Sequence, residues 1–491
     1  MSENNSDTGS RSARGPNRRS GPNTGSKNQE RPNRAGKTRS GKGGKSRPQD
    51  NTTKRKGGKL PQTGWQSRRA AADIIMRIVY DGADMDEALN ASNYFDELEG
   101  PDRGFARAIA SAALRAIGRI DDALETYLDR PLEKIDPAVL SLLRIGCAQL
   151  WVLNAPSYAA VDATVEAARQ WKPASRGGGL VNAILRRAGR EPEAYLDLSF
   201  TRIWPDWLAN RFTDTLGHDT AQNIAQMQLQ EPRIDLTVKS DAAGWAKKLD
   251  AIALPSGSVR LPTGASLTEL EGYVEGEWWV QDVAATLPAQ LFGDVSGKTI
   301  GDLCSAPGGK TMQLAAKGAK VTAIDLSEQR IERVRENLER TGLKATTHVV
   351  DARHWRPAEP FDAVLLDAPC SALGTLRRHP EGAWRRNDSG LDRYSNLQIK
   401  LVKAAHGMLK SGGTMVYCVC TPLPAEGIDV VKTAIESGEW ISKPITPEEV
   451  PGYEHAIDAH GGLLSMPKFD IENPEDLISS DIFYMARLEK V

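Results

Sequence analysis

Two thiols and a carboxylate near the ends of apolar runs are the residues of this 491-residue chain best suited to covalent chemistry. Asp367-Ala-Pro-Cys370 ends one such run, and Val416-Tyr-Cys-Val-Cys420 ends another. A thiol beside a carboxylate in a pocket suits nucleophilic catalysis. A thiolate that adds to C6 of a pyrimidine lets C5 attack an electrophilic methyl group, while a carboxylate can hold N3 and the exocyclic amine. The pattern therefore indicates thiol chemistry on a pyrimidine ring, with Asp367 at the base.

The choice of nucleophile rests on position in the strand. Cys418 and Cys420 are two residues apart, so both would point to the same face of a strand, and alternation does not choose between them. Cys420 is favoured because it lies at the strand exit beside Thr421-Pro422, whereas core packing also accounts for Cys418. Free cysteine has a pKa of about 8.5, so the nucleophile needs a positive charge nearby. Lys310 and a sulfonium cofactor are the candidates.

The loop Asp302-Leu-Cys-Ser-Ala-Pro-Gly-Gly-Lys-Thr311 has the features of a cofactor site. Gly308 and Gly309 let the backbone approach a ligand, and the helix that follows favours an anionic group at its amino end. A phosphate-binding P-loop needs glycine where Cys304 stands, and the G-x-G-x-x-G dinucleotide motif is absent. S-adenosylmethionine is the remaining common occupant. A P-loop ATPase stays an alternative, which a titration with ATP and S-adenosylmethionine would separate.

Acidic residues end three successive apolar runs. Asp325 is placed to bind the ribose hydroxyls of such a cofactor, Asp351 would face its adenine, and Asp367 follows on the next run. A lone acid at such a position is more often a helix cap or a surface group. Three of them at successive strand ends indicate one ligand site.

These residues need a parallel sheet to bring them together. From about residue 298, short apolar runs alternate with helical segments, which is typical of a parallel sheet with crossover helices. The runs span residues 299–304, 320–325, 345–351, 361–367 and 414–420. In an open α/β sheet, ligands bind at the carboxyl ends of the strands, where the strand order reverses.

The chain divides by composition and pattern into four segments. Residues 1–62 form a basic arm that we predict to be disordered, because its first 60 residues hold 16 Lys and Arg against 4 Asp and Glu and few apolar side chains. This arm either binds phosphates without sequence preference and with an affinity that falls with salt, or serves only as a solubilising tail. Residues 63–190 have helical periodicity, with Asp136-Pro137 as a helix start and Cys147 on an apolar stripe. Residues 191–285 form a connecting subdomain, and residues 286–491 form the catalytic domain.

Composition also bounds the class of protein. The 431 residues after the first 60 carry 47 basic against 60 acidic groups. The five cysteines match neither a disulfide framework nor a zinc site, which indicates a reducing compartment. No apolar stretch reaches the roughly 18 residues of a membrane span, and no export signal is apparent. We therefore predict a cytoplasmic monomer with no metal and no membrane partner.

At these motifs the sequence resembles the Fmu/Sun (RsmB-type) family of 16S ribosomal RNA cytosine-5 methyltransferases, related to the NOL/NOP/Sun group. The segment 302–311 is similar to that family's D-L-C-A-A-P-G-G-K-T, and the segment 367–380 is close to its fourth motif. Trp279-Val-Gln-Asp282 resembles the segment before the catalytic sheet, and Leu180 to Arg187 is similar to the NusB-like helical domain of bacterial members. The resemblance covers residues from about 63 to 491.

The resemblance implies a fold and assigns roles by position. The fold is α/β: a Rossmann-like S-adenosylmethionine-dependent methyltransferase domain preceded by an all-α, RNA-binding NusB-like domain. Cys420 matches the nucleophile, Cys370 matches the cysteine that helps release the methylated product, and Asp367 positions or protonates the base. Cofactor contacts would come from Cys304, Ser305, Ala306, Pro307, Gly308, Gly309, Lys310, Asp325, Asp351 and Asp367.

RNA, most simply 16S ribosomal RNA, is the partner that this resemblance implies. Basic residues around Trp384 suit a single-stranded, flipped nucleotide, although a solvated helix face would look the same. The candidate RNA contacts are Arg377, Arg378, Arg385 and Arg386. Two alternatives stay open: the chain could carry out the same chemistry on transfer RNA, or it could be a nonenzymatic, NusB-like RNA-binding assembly factor.

The sequence departs from the family pattern after the nucleophile. The family usually has S-x-x-P-E-E-N, whereas this chain has Thr421-Pro-Leu-Pro-Ala-Glu-Gly427. Glu426 is kept and the asparagine is replaced by Gly427. Cys418 stands where the family usually has a small residue. These departures bear on the choice of target more than on the chemistry.

Overall fold

The computed structural model of the chain describes residues 64–467 and 480–491. The predicted disordered basic arm, residues 1–62, lies outside these ranges. No helix in the described ranges is both long enough and apolar enough to cross a membrane.

The amino-terminal part of the described chain is helical, as predicted for residues 63–190. Its helices are α1 (Trp65–Asp81), α2 (Met85–Ala91), α3 (Asn93–Asp96), α4 (Gly100–Tyr127), α5 (Pro137–Trp151), α6 (Ser157–Gln170) and α7 (Gly178–Arg190). The predicted start of α5 is confirmed, because the Asp136 side chain accepts a hydrogen bond from the Ala138 backbone N–H at 2.9 Å. Cys147 is fully buried in the core of these helices, which confirms its packing role.

Residues 191–290 contain short helices and a small sheet. The elements are α8 (Glu193–Leu196), α9 (Asp206–Leu216), α10 (His218–Leu229), β1 (Asp235–Val238), α11 (Ala242–Lys248), β2 (Ile252–Ala253), β3 (Val259–Arg260), β4 (Trp278–Val280) and α12 (Val283–Gln290). The strands pair in the antiparallel order β2–β3–β1–β4. Asp282 accepts a hydrogen bond from the Ala284 backbone N–H and thereby caps α12. This helix connects the small sheet to the large sheet that follows it in the chain.

The remaining elements build a large mixed sheet. They are β5 (Thr299–Leu303), α13 (Gly309–Ala316), β6 (Lys320–Asp325), α14 (Glu328–Thr341), β7 (Ala345–Val349), β8 (Phe361–Asp367), α15 (Gly382–Arg385), α16 (Asp392–His406), β9 (Leu409–Val419), α17 (Ile428–Glu436), β10 (Trp440–Ser442), β11 (Leu463–Leu464) and β12 (Tyr484–Lys490). The order is β10–β12–β9–β8–β5–β6–β7, with β11 paired to β12. Strands β5 to β9 are mutually parallel. Strand β12 pairs antiparallel with β9, and β10 and β11 each pair antiparallel with β12.

The topology confirms the predicted parallel sheet with crossover helices and shows where its strand order reverses. The chain runs from β5 outward through β6 and β7, then returns to β8 on the other side of β5. Strand order therefore reverses between β5 and β8, where an open α/β sheet binds its ligand. Apolar side chains cover both faces, with Tyr417 and Val419 in one core cluster and Val416 and Cys418 in the other. Burial on both faces fits the nearly continuous apolar runs of these strands.

Candidate active site

The two thiols predicted to act on the base lie side by side. Cys370 follows β8, Cys420 follows β9, and these strands are parallel neighbours with Asp367 opposite Cys418 in register. The Cys370 and Cys420 Sγ atoms are 3.3 Å apart, and both side chains are half-buried. One substrate atom could therefore be reached by both sulfurs.

A buried ion pair lies beside the thiols. Lys310, at the start of α13, donates from Nζ to Asp367 Oδ2 at 2.8 Å. Burial alone would lower the pKa of Lys310, but Asp367 and its other acidic neighbours raise that pKa above its usual value. The structure thus joins the loop of residues 304–310 to the end of β8 across the point where strand order reverses.

Cys418 contacts the same carboxylate. Its Sγ donates to Asp367 Oδ1 at 3.6 Å, and its side chain is fully buried. Burial raises the pKa of the Cys418 thiol well above its ordinary value, and the charge of Asp367 adds to this. Cys418 therefore combines core packing with a hydrogen bond to Asp367, and it keeps its proton.

Cys420 also has a raised pKa. Its hydrogen bond with Cys370 is the largest cause, followed by burial and by the negative charge of Asp367, while Lys310 acts in the opposite direction. Cys420 accordingly keeps its proton at neutral pH. A cation arriving beside the sulfurs would favour the thiolate that a nucleophile requires.

We predict that alkylation of Cys420 by iodoacetamide is slow at pH 7 and accelerates as the pH rises above the ordinary thiol range. Only the thiolate reacts, and a raised pKa moves thiolate formation to higher pH. Cys370→Ala removes the largest cause of the shift, so the alkylation profile of Cys420 should move to lower pH. Peptide mass spectrometry after timed labelling measures both profiles, and an unchanged profile in Cys370→Ala would contradict this assignment.

A cleft next to the thiols has the composition of a nucleoside site. Its volume is about 170 Å³. It is lined by Cys304, Ile324, Asp325, Leu326, Val350, Asp351, Ala352, Arg353, Pro369, Leu397 and Leu401. Two carboxylates at successive strand ends and mostly apolar walls fit a sugar with free hydroxyls and a flat heteroaromatic ring.

The loop that borders this cleft has an unusual backbone. Cys304 has φ +60° and Gly308 has φ +103°, so the chain turns sharply between the end of β5 and the start of α13. The Ser305 backbone N–H donates to the Ile324 carbonyl at 3.0 Å, and the Gly308 N–H donates to the Ser305 carbonyl at 2.8 Å. The predicted cofactor residues 304–310 are thus held in one compact turn.

The two rim carboxylates already have partners in the protein. Asp325 accepts from the Ala306 backbone N–H at 3.4 Å and pairs with Arg330 at 3.1 Å, and Arg330 also donates to the Ala306 carbonyl at 2.8 Å. Asp351 pairs with Arg353 at 2.6 Å, and this contact lowers the pKa of Asp351 to about 2. Asp351 is therefore ionised at neutral pH and able to accept hydrogen bonds.

Beneath the loop, two buried polar atoms have no hydrogen-bond partner among the described residues. They are Asp302 Oδ1 and Ser305 Oγ. The other oxygen of Asp302 accepts from the Thr311 hydroxyl at 2.5 Å, and burial raises the pKa of Asp302 to about 7. Buried polar groups are normally paired, so these two atoms call for a partner that the described residues do not supply.

The structure corrects the predicted RNA contact at Arg377. Its side chain is 2% exposed and pairs with Asp282 and with Asp481, the latter at 2.8 Å. Burial alone would raise the pKa of Asp282, but Arg377 and Arg378 hold it well below the usual range. Arg377 is therefore a structural cation in the interior, because its guanidinium is enclosed by these carboxylates and cannot reach a phosphate.

The other predicted arginines differ in accessibility. Arg378 is one-fifth exposed and also pairs with Asp282, at 2.8 Å. Arg385 is exposed, but its Nε donates to the Gly82 carbonyl at 2.9 Å, which joins this segment to the amino-terminal helices. Arg386 is half-buried on the same segment. An RNA-contacting role stays a prediction for these three residues.

Glu426 has a structural setting that its sequence position does not reveal. It is 1% exposed, and its Oε2 accepts from the Ser371 backbone N–H at 2.8 Å and from Gln398 Nε2 at 3.3 Å. The Ser371 and Thr421 hydroxyls are 3.1 Å apart. Ser371 and Thr421 directly follow the two thiols, so these contacts tie the two cysteine loops together. The match of Glu426 to the family pattern is the only sequence signal that singles it out.

Gly427, which replaces the usual asparagine, packs against an aromatic ring. A Cβ at this position would lie 2.8 Å from Tyr484 Cγ, and Tyr484 is 5% exposed. The chain therefore has no room for a side chain here while Tyr484 keeps its place.

We predict that Gly427→Asn lowers the free energy of unfolding by about 1–3 kcal/mol, because the new side chain overpacks against a buried ring. Gly179→Asn is the matched control, since a Cβ at Gly179 would have open space for 4 Å around it. Urea titration measures the free energy of unfolding of both variants. Equal losses in the two variants would contradict the packing explanation.

In the described ranges, no group of three or more His, Cys, Asp or Glu side chains is arranged to hold a metal ion.

Comparison with known proteins agrees with this organisation. The profile of the family described as 16S rRNA methyltransferase RsmB/F matches residues 289–468, and that of the NusB family matches residues 65–190. Proteins named "Ribosomal RNA small subunit methyltransferase B" from Salmonella dublin and Salmonella paratyphi B are each 32% identical over 409 residues, covering 79% of this chain and 94% of theirs.

A solved structure shares the fold over most of the chain. The crystal structure of PH0851 superimposes with a TM-score of 0.66 at 21% sequence identity, covering 88% of this chain and 99% of that chain. The predicted order of an all-α NusB-like domain followed by a Rossmann-like methyltransferase domain is confirmed. The chain is a methyltransferase and belongs to the 16S rRNA methyltransferase RsmB/F family.

Proposed function

We propose that this chain methylates C5 of a cytosine in 16S ribosomal RNA through a covalent bond between Cys420 and C6 of the base. The observation that carries the proposal is the convergence of two thiols, 3.3 Å apart, with the Lys310–Asp367 ion pair. The RNA class follows from the family and from the names of the relatives. Methylation of a carbon needs a nucleophile that activates the ring, which separates this site from one that methylates nitrogen or oxygen.

S-adenosylmethionine is the cofactor that we propose for the cleft. It would supply an electrophilic methyl group on a sulfonium sulfur. Asp325 would accept hydrogen bonds from the ribose hydroxyls, Asp351 would face the adenine, and the loop of residues 304–310 would hold the amino-acid end. The unpartnered Asp302 Oδ1 and Ser305 Oγ beneath that loop support this assignment.

The protein side chains then account for each step on the base. Cys420 Sγ, as the thiolate after its proton passes to solvent, bonds to C6, and the π electrons of the C5=C6 bond move to C5, which takes the methyl group. The electron pair of the broken methyl–sulfonium bond would stay on the cofactor sulfur. Asp367 accepts a hydrogen bond from the exocyclic amine and shares a proton with N3, and Lys310 keeps that carboxylate in place. Cys370 takes the C5 proton, the electron pair of that C–H bond restores the C5=C6 double bond, and the sulfur of Cys420 leaves with the electrons of the S–C6 bond.

RNA binding is proposed for two further parts of the chain. The NusB-like domain, for which we propose the bounds 63–190, would bind RNA away from the thiols. Arg378, Arg385 and Arg386 would contact the strand that enters the site. The connecting subdomain (191–285) and the catalytic domain (286–491) complete the proposed division.

The test is methylation of unmodified 16S rRNA transcript and of unmodified transfer RNA by the full chain with S-adenosylmethionine, followed by mass spectrometry of the nucleosides. We expect 5-methylcytidine in 16S rRNA, and no product with Cys420→Ala. A methyl group on any other atom would overturn the chemistry. Product in transfer RNA alone would overturn the substrate class.

A further inference from the structure

Glu426 connects the two loops that carry the thiols. It ends a short 3-10 turn, Pro424–Glu426, that begins four residues after Cys420. From there its carboxylate reaches the loop after β8 and accepts from the backbone N–H of Ser371, the residue after Cys370. The contact spans 55 positions of sequence, so it fixes one loop relative to the other.

The surrounding contacts brace this link. Gln398 donates both to Glu426 and to the Pro369 carbonyl, at 3.3 and 2.9 Å, so both sides of Cys370 are held. The Tyr417 hydroxyl donates to the backbone carbonyl of Glu426 at 2.5 Å, which ties the turn to β9 just before Cys420. Buried hydrogen-bond networks of this kind favour one arrangement of their members.

A buried carboxylate is an unusual choice for this position if packing is its only purpose. The donors around Glu426 Oε2 are a backbone N–H and a neutral amide, and burial raises the pKa of the Glu426 carboxyl. Its Oε1 is buried without a hydrogen-bond partner in the described part of the chain. Burying such a group costs free energy that an apolar side chain would not cost. A requirement on geometry accounts for that cost, because the Glu426 carboxylate holds the backbone beside Cys370 while its own turn directly follows the Cys420 loop.

We propose that Glu426 is a positioning residue that sets the spacing of Cys370 and Cys420, and thereby determines whether the covalent RNA adduct is released or accumulates. The inference rests on the proposed function. The bond from Cys420 to C6 needs only one sulfur. Removal of the C5 proton and the accompanying departure of Cys420 need Cys370 at the correct distance.

The consequence is that loss of Glu426 affects release more than attack. We expect Glu426→Ala to form the covalent adduct in a single turnover, to hold a large fraction of the enzyme as adduct at steady state, and to turn over about 10- to 100-fold more slowly, because a misplacement of about 1 Å can cost 10²-fold. Glu426→Gln keeps the volume and one acceptor oxygen, so its defect should be smaller. Denaturing gels with labelled RNA measure the adduct fraction.

The chain offers a matched control. Glu449 also ends a Pro-x-Glu 3-10 turn, Pro447–Glu449, and it pairs with Arg487 away from the thiols. Glu449→Ala should leave the adduct fraction as low as in the wild type. A rise equal to that of Glu426→Ala would mean that general loosening of the domain causes accumulation, and it would overturn the proposal.

A second measurement reads the thiol spacing without RNA. Diamide oxidises two adjacent thiols to a disulfide and is itself reduced to the hydrazine. We expect the Cys370–Cys420 disulfide to form in the wild type and to form about tenfold more slowly in Glu426→Ala, with Glu426→Gln in between. If Glu426→Ala does not fold, Glu426→Gln decides by the same two measurements.

The outcomes separate this proposal from the one on which it rests. If Cys370→Ser accumulates adduct while both Glu426 variants show wild-type adduct fractions and diamide rates, the positioning role is overturned and the proposed function stands. If Cys370→Ser and Glu426→Ala both accumulate none and Cys420→Ala still methylates RNA, the proposed function itself is overturned.

Discussion

Cys420→Ala is expected to abolish methyl transfer, whereas Cys370→Ser is expected to retain the first steps and accumulate a covalent RNA adduct. The two thiols are 3.3 Å apart but follow different strands, so they can act on the same base at different steps. Without the sulfur of Cys420, C5 of cytosine is not activated. Serine at position 370 is too weak a base at neutral pH to take over proton removal. Denaturing gels with labelled RNA and nucleoside mass spectrometry measure adduct and product.

Cys418→Ala is the control for this pair of variants. Cys418 lies on the same face of β9 but is fully buried and hydrogen-bonded to Asp367. We expect the Cys418→Ala variant to keep methyl transfer, with a loss of rate far smaller than that of Cys420→Ala. If the adduct appeared with Cys420→Ala and none with Cys370→Ser, the roles of the two residues would have to be exchanged.

Arg377→Met is expected to destabilise the fold by about 3–5 kcal/mol, the usual cost of removing one member of a buried ion pair. Methionine fills a similar volume, but it leaves Asp282 and Asp481 buried with only the partly exposed Arg378 to neutralise them. Asp282 caps α12, and its carboxylate also accepts from the Asp481 backbone N–H at 3.1 Å. The loss of stability should therefore extend to the start of α12 and to the residues just before β12. Urea or thermal unfolding measures it.

Arg393→Met provides the comparison, because Arg393 is exposed on α16. The free energy of unfolding of the Arg393→Met variant should differ from that of the wild type by less than about 0.5 kcal/mol. An Arg377→Met variant with wild-type stability and weakened RNA binding would restore the surface role that the sequence predicted for this residue.

The strand ends were predictable from sequence because each apolar run stops at a polar residue. Asp325 and Asp367 end β6 and β8 as predicted. Asp351 instead lies two residues beyond β7, which ends at Val349, and β9 ends at Val419 rather than at Cys420. Strand ends are hydrogen-bonding events that side-chain types indicate only within a residue or two.

Pairing over long sequence separations was not predictable. Arg377 was counted as a surface cation because its neighbours in sequence are basic, but the carboxylates that enclose it are 95 and 104 residues away. The same holds for Glu426 and Ser371, 55 residues apart. A single sequence gives the charge of such residues, whereas their partners depend on which strands and loops become neighbours.

Identifying the residue that bonds to RNA is the most direct test of the proposed chemistry. Full-length enzyme is incubated with S-adenosylmethionine and 16S rRNA transcript containing 5-fluorocytidine, whose C5 fluorine cannot leave as a proton, so the adduct persists. Digestion and peptide mass spectrometry then locate the attached nucleotide. We predict it on the peptide containing Cys420. A nucleotide attached to Cys370, or a methylated RNA product formed without any attached peptide, would contradict the covalent mechanism.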